Sequence, residues 1–201
     1  MTTIGPGHNR GPALEPGAGF RRYAWKRARR DLLRNKVPIE IVRLRVRRAR
    51  ELGLSYPQYA SVLMGSGRDI TAFLFTVDGL SLRLRRELEM PPQVRDKLRG
   101  FGKCALSSFA PSGEDPEDFR LELQEVAGVA FATAAPTPEE QHGWDRVRQA
   151  VRCALDPLSL PGNAVVMIGV SGEQERWAAA GKLAKFLPAE AYFDNGVPGA
   201  A

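Results

Sequence analysis

Cysteine is scarce in this chain. Cys104 and Cys153 are the only two among 201 residues, which excludes a disulfide framework and leads us to expect two reduced, mostly buried thiols. Aromatic residues make up 8% of the sequence, so the core must be largely aliphatic. No run approaches the roughly 20 apolar residues needed to span a bilayer. The first twenty residues contain no apolar segment of the signal-peptide kind, so a cytoplasmic location is expected. Histidine is limited to His8 and His142, neither with Cys or carboxylate at ligand spacing. No metal site, cofactor motif or catalytic constellation is therefore expected.

Acidic residues are also missing from one region, and that gap is the most informative feature. Between Arg21 and Arg50 there are 13 Lys and Arg against two acids, a local charge of +11 in a chain of net charge +6. Residues 1–20 are neutral, so residues 51–201 carry −5. Eleven of the thirteen cations are Arg, whose planar fork suits phosphate. A local, amphipathic concentration of positive charge is the footprint of a surface that meets phosphates.

Residues 1–19 are rich in Gly and Pro and read as a flexible tail. From Phe20, residues Phe20, Tyr23, Ala24, Ala28 and Leu32 fall on one helical stripe. A second helix is predicted from Pro38, with Val42, Val46, Ala49 and Leu52 inward and Arg43, Arg47 and Arg50 outward. Gly53 ends it, and Ser55–Gln58 is a capping-box start for a third helix over 56–64. Strands are predicted at 70–76, 104–109, 126–133, 164–170 and 191–193. Helices are predicted within 80–98, from Pro138, and over 173–186. Residues 111–118 form an acidic loop that reads as the best internal boundary, dividing a basic region (20–110) from an α/β part (119–201). The fold class expected is mixed α/β with a small, partly parallel sheet.

The segment Ile4-Gly5-Pro6-Gly7-His8-Asn9-Arg10-Gly11-Pro12 resembles the IGHNxGP signature that opens many small alphaproteobacterial proteins, several of them prophage-linked. An extra Pro-Gly interrupts the pattern here. The resemblance covers nine residues and implies no activity.

Three constellations carry the functional expectations. The first is a helix-turn-helix-like corner at residues 49–55, in which Gly53 supplies a positive φ. Tyr56, Gln58 and Ser61 on the following helix are its candidate base or groove contacts. The second is the basic block, where Arg21, Arg22, Lys26, Arg29, Arg30, Arg43 and Arg47 are candidate phosphate contacts. The third is the strand-to-helix junction at Gly169, Ser171 and Gly172, a candidate anion turn with Arg68 as its clamp. A plain structural corner, a solvated charged face and a tight packing turn are the respective alternatives. Together these point to a nucleic-acid-binding protein, with DNA favoured over RNA. Two rival readings are a small phosphate- or nucleotide-binding α/β enzyme and an adaptor meeting an acidic protein partner.

Overall fold

The computed structural model describes residues 23–27, 37–84, 88–139 and 143–193. The chain divides into two compact units, residues 1–42 and 43–201. In the first unit, residues 23–27 are helical (α1) and exposed, including Tyr23 and Trp25. Helix α2 (Ile39–Glu51) begins in this unit and continues into the second.

The second unit is an α/β layer structure. Its five-stranded sheet contains β1 (Ala72–Phe75), β4 (Ala105–Ala110), β5 (Thr133–Pro136), β6 (Val165–Gly169) and β7 (Lys185–Pro188), in spatial order β5-β4-β1-β6-β7. Every pairing is parallel, with Ala72 beside both Ala105 and Val165. The chain lays strands outward from β1 to β5, then returns to the far side of β1 and builds β6 and β7. That reversal makes a doubly wound sheet with a topological switch point between β1 and β6.

Alternation along the central strands explains why both faces are covered. Phe73, Phe75, Val166 and Ile168 point into one core, while Ala72, Leu74, Val165 and Met167 point into the other. The first core is closed by α2, α3 (Tyr56–Ser66), α4 (Pro92–Arg99), α5 (Pro116–Ala127) and α8 (Ala189–Phe193). The second is closed by α6 (Trp144–Leu155) and α7 (Gly172–Ala180). Strands buried on both sides need continuous apolar sequence, as in the run at 165–168.

Several predicted elements shift. Residues 126–132 do not form a strand: α5 continues to Ala127 because Phe119, Leu123 and Ala127 keep the helical period, and Gly128 then caps it at φ 68°. The strand follows at 133–136. Before α4, residues 80–91 hold a short antiparallel pair, β2 (Arg83–Leu84) with β3 (Leu88–Glu89), rather than helix. The helix expected from Pro138 starts at Trp144, which is exposed. The helix expected over 173–186 stops at Ala180, freeing 185–188 to become the edge strand β7. Residues 191–193 are helical, in α8, instead of a strand.

The acidic stretch at 111–118 is the link from β4 and the first turn of α5, inside the sheet-bearing unit, so it does not separate two domains. Asp115 there accepts from the backbone N–H groups of Glu117 and Asp118 at 2.9 and 3.1 Å and caps α5. Of the two thiols, Cys153 is exposed rather than buried, since it falls on the outer face of α6. Cys104 is partly buried, and that burial pushes its pKa up to about 11, so it stays protonated at neutral pH. Among the described residues, no helix is long and apolar enough to cross a membrane.

Candidate nucleic-acid interface

Four of the five arginines of α2 are divided between two roles by the helical period. Arg43, Arg47 and Arg50 are exposed and recur every three or four positions along one stripe. None of their side chains has a hydrogen bond or ion pair with a described residue. Arg48 projects from another side of the helix and is consumed internally. Its Nε donates to Asp69 Oδ2 at 3.0 Å, and Nη1 donates to Glu51 Oε2 at 3.1 Å and to the Gly102 carbonyl at 3.3 Å. Nη2 donates to the carbonyls of Ile70 and Lys103 at 2.9 and 3.3 Å. The five N–H groups of the guanidinium thus match five acceptors. Burial works against the Arg48 charge, but Glu51 and Asp69 outweigh it and hold its pKa above the ordinary value.

This clasp ties α2 to the loops that enter β1 and β4, at the amino edge of the sheet. Asp69 completes it by accepting from the Tyr59 hydroxyl at 3.0 Å and from the Ile70 N–H at 2.8 Å. Burial, reinforced by the hydrogen bond to Asp69, pushes the Tyr59 pKa up to about 12. Neither Arg48 nor Asp69 stood out in the sequence as a structural pair. The spacing of Arg48 from its neighbours did carry a signal, because it falls off the 43–47–50 stripe.

The corner between α2 and α3 forms as expected. Gly53 has φ 62°, and the Leu54 N–H returns to the Ala49 carbonyl at 2.9 Å. A side chain at Gly53 would also press on Phe101 Cε1 at 3.0 Å and Lys97 Cε at 3.1 Å. Ser55 and Gln58 form the capping box.

Two of the three candidate groove contacts on α3, Gln58 and Ser61, are engaged within the protein. Gln58 uses its Oε1 in that box and donates through Nε2 to the Ala191 carbonyl at 3.1 Å. Ser61 donates to the Gln58 carbonyl at 2.7 Å and accepts from Lys185 Nζ at 2.6 Å. Tyr56 is half-buried. Helix α3 is therefore docked toward β7 and α8, and Gln58 and Ser61 are spent on the protein itself. Its exposed positions are Pro57, Met64 and Gly65, which offer no hydrogen-bonding side chain.

The junction at Gly169, Ser171 and Gly172 lies at the switch point, where open parallel sheets take their ligands. Here a neutral amide fills the crevice. Gln174, 5% exposed, accepts at Oε1 from the Val170 N–H at 2.6 Å and the Thr76 hydroxyl at 3.1 Å, and its Nε2 donates to Asp78 Oδ2 at 3.1 Å. Ser171 Oγ caps the Gln174 N–H. A Cβ on Gly169 would sit 2.3 Å from Gln174 Oε1, so this glycine makes room for the glutamine rather than for an anion. Arg68 is not the clamp of this turn: it precedes β1 at the amino edge, whereas Gly169 ends the parallel strand β6 at the carboxyl edge.

Lys26 is exposed in α1. Arg21, Arg22, Arg29, Arg30, His8 and His142 lie outside the described residues. Among the described residues, no group of His, Cys, Asp and Glu is arranged to hold a metal. Comparison of the chain with protein-family models, curated proteins and solved structures finds no match.

Proposed function

We propose that this protein binds nucleic acid through phosphate contacts made by its Arg-rich segment, without base reading by α3. One observation carries this reading: Arg43, Arg47 and Arg50 share the exposed stripe of α2 and have no carboxylate partner among the described residues, while Arg48, off that stripe, is fully paired. Three unpaired like charges along a helix repel one another, and a polyanion relieves that repulsion. The +11 charge of residues 21–50 extends the same chemistry beyond these three. Duplex DNA is the favoured partner.

The test is a salt titration of binding to duplex DNA, single-stranded DNA and RNA. Each duplex phosphate neutralised contributes about −0.9 to the slope of log K against log salt. The Arg43→Ala, Arg47→Ala, Arg50→Ala triple variant should therefore lose about 2.7 units of slope. Random duplexes should bind alike. An unchanged slope in the triple variant refutes the assignment, and binding confined to an acidic protein would favour the adaptor reading instead.

A further inference from the structure

Helix α6 and the loops entering β6 and β7 border an open cleft of about 520 Å³. It lies at the amino edge of the sheet, the opposite edge from the crevice filled by Gln174. Arg148, Arg152 and Lys182 line it, against one carboxylate, Asp156. None of the three cationic side chains has a hydrogen bond or ion pair with a described residue.

Two features of this arrangement cost stability in the absence of an anion. Arg148 and Arg152 stand one turn apart on α6, where like charges repel. Lys182 occupies the left-handed region at φ 53°, a conformation that glycine adopts at lower cost. The walls are nonetheless fixed in place. Lys182, Leu183 and Ala184 donate their backbone N–H groups to Ala179, Ala178 and Gly162 at 3.1, 2.9 and 3.1 Å. The two loops meet so closely that a Cβ on Gly162 would lie 2.8 Å from the Gly181 carbonyl oxygen. The charged groups thus project from a framework already in position, the condition under which binding loses least entropy.

We propose that this cleft binds a small phosphate ester. Three cations and one carboxylate leave a local charge of +2, which complements the −1.5 to −2 (roughly) of a phosphate monoester at neutral pH. Arg148 and Arg152 supply planar forks for the phosphate oxygens, and Lys182 a point charge. Leu155 and Leu160, also in the lining, give the organic body an apolar wall. The volume falls within the range of about 300–1,000 Å³ usual for small-molecule sites.

Thermal shift and calorimetry on the full chain at constant ionic strength test this, with AMP, ribose 5-phosphate, inorganic phosphate and adenosine as probes. A saturable rise in Tm is expected with AMP and ribose 5-phosphate, a weaker one with inorganic phosphate and none with adenosine. The Arg148→Gln, Arg152→Gln variant should weaken AMP binding by at least about tenfold, the loss expected for one charge-assisted contact. Lys182→Gly relieves the backbone, so it should keep or raise the unliganded Tm while weakening AMP. It decides the matter if the double variant fails to fold. Arg47→Ala should leave AMP binding unchanged, which separates this cleft from the α2 surface. The proposal is overturned by no saturable response to any phosphate at millimolar concentration, by an equal response to adenosine, or by AMP binding that survives Lys182→Gly and the arginine changes.

Discussion

Replacing Arg48 by Met keeps the length and apolar stem of the side chain but removes all five donors. The Arg48 side chain is 14% exposed, so water reaches the vacated acceptors poorly. Three of these are backbone carbonyls, on Ile70, Gly102 and Lys103. Taking about 1 kcal/mol for each carbonyl left without its donor gives about 3 kcal/mol. Asp69 and Glu51 are 47% and 36% exposed. They can rehydrate, and they add little. For a unit of this size 1 kcal/mol corresponds to roughly 2–4 °C in Tm, so Arg48→Met should lower Tm by about 6–12 °C. Arg48→Lys keeps the charge but not the fork, and should recover less than half of that. Arg47→Met, one residue away on the exposed stripe, should stay within about 0.5 kcal/mol of the parent. Urea denaturation monitored by circular dichroism reads all three. In binding assays the ranking should reverse: Arg47→Met reduces the salt slope, and Arg48→Met leaves it unchanged below its unfolding temperature. If Arg48→Met and Arg47→Met destabilise equally, the division of α2 into a structural arginine and a phosphate stripe is wrong.

Two further outcomes follow from buried polar groups. The folded-state pKa of Tyr59 is raised to about 12, above the value of about 10 for an unfolded tyrosine, so its stabilising contribution is complete below pH 10 and is lost as pH rises through about 12. Stability measured across that interval should fall, and Tyr59→Phe should flatten the fall while lowering stability at pH 7 through loss of the bond to Asp69. Gly169→Ala would bring a methyl to 2.3 Å from Gln174 Oε1 and 3.0 Å from Phe186 Cε2. It should cost about 1–3 kcal/mol by overpacking, and chemical denaturation that finds no loss would contradict the filled crevice.

Much of the fold was legible because local rules and tertiary demands agreed. The strand predicted at 164–170 forms as β6, whose continuous apolar run suits burial on both faces. Pro at the start, Gly at the end and S-x-x-Q placed the α2–α3 corner, since caps and positive φ are properties of a few adjacent residues. The elements misplaced were those whose periodicity is short or shared. Lys185–Pro188 continues a helical pattern for anyone reading locally, and becomes a strand because β6 offers it an open edge.

The sequence by itself determined the α/β class, the local excess of positive charge and the outward stripe of Arg43, Arg47 and Arg50, because these depend on composition and on the 3.6-residue period. Tertiary structure decided what each polar side chain was free to do. Gln58 and Ser61 look available along α3 and are engaged by Ala191 and by Lys185, more than a hundred residues away. Gln174 reads as a helix-capping residue and also fills the switch point by reaching Thr76 and Asp78. Arg148, Arg152 and Lys182 lie on a helix and in a loop, and share a cleft only because α6 packs beside the entry to β7. Whether a hydrogen-bonding group is spent or free depends on partners brought near by the fold, and periodicity holds no record of those distances.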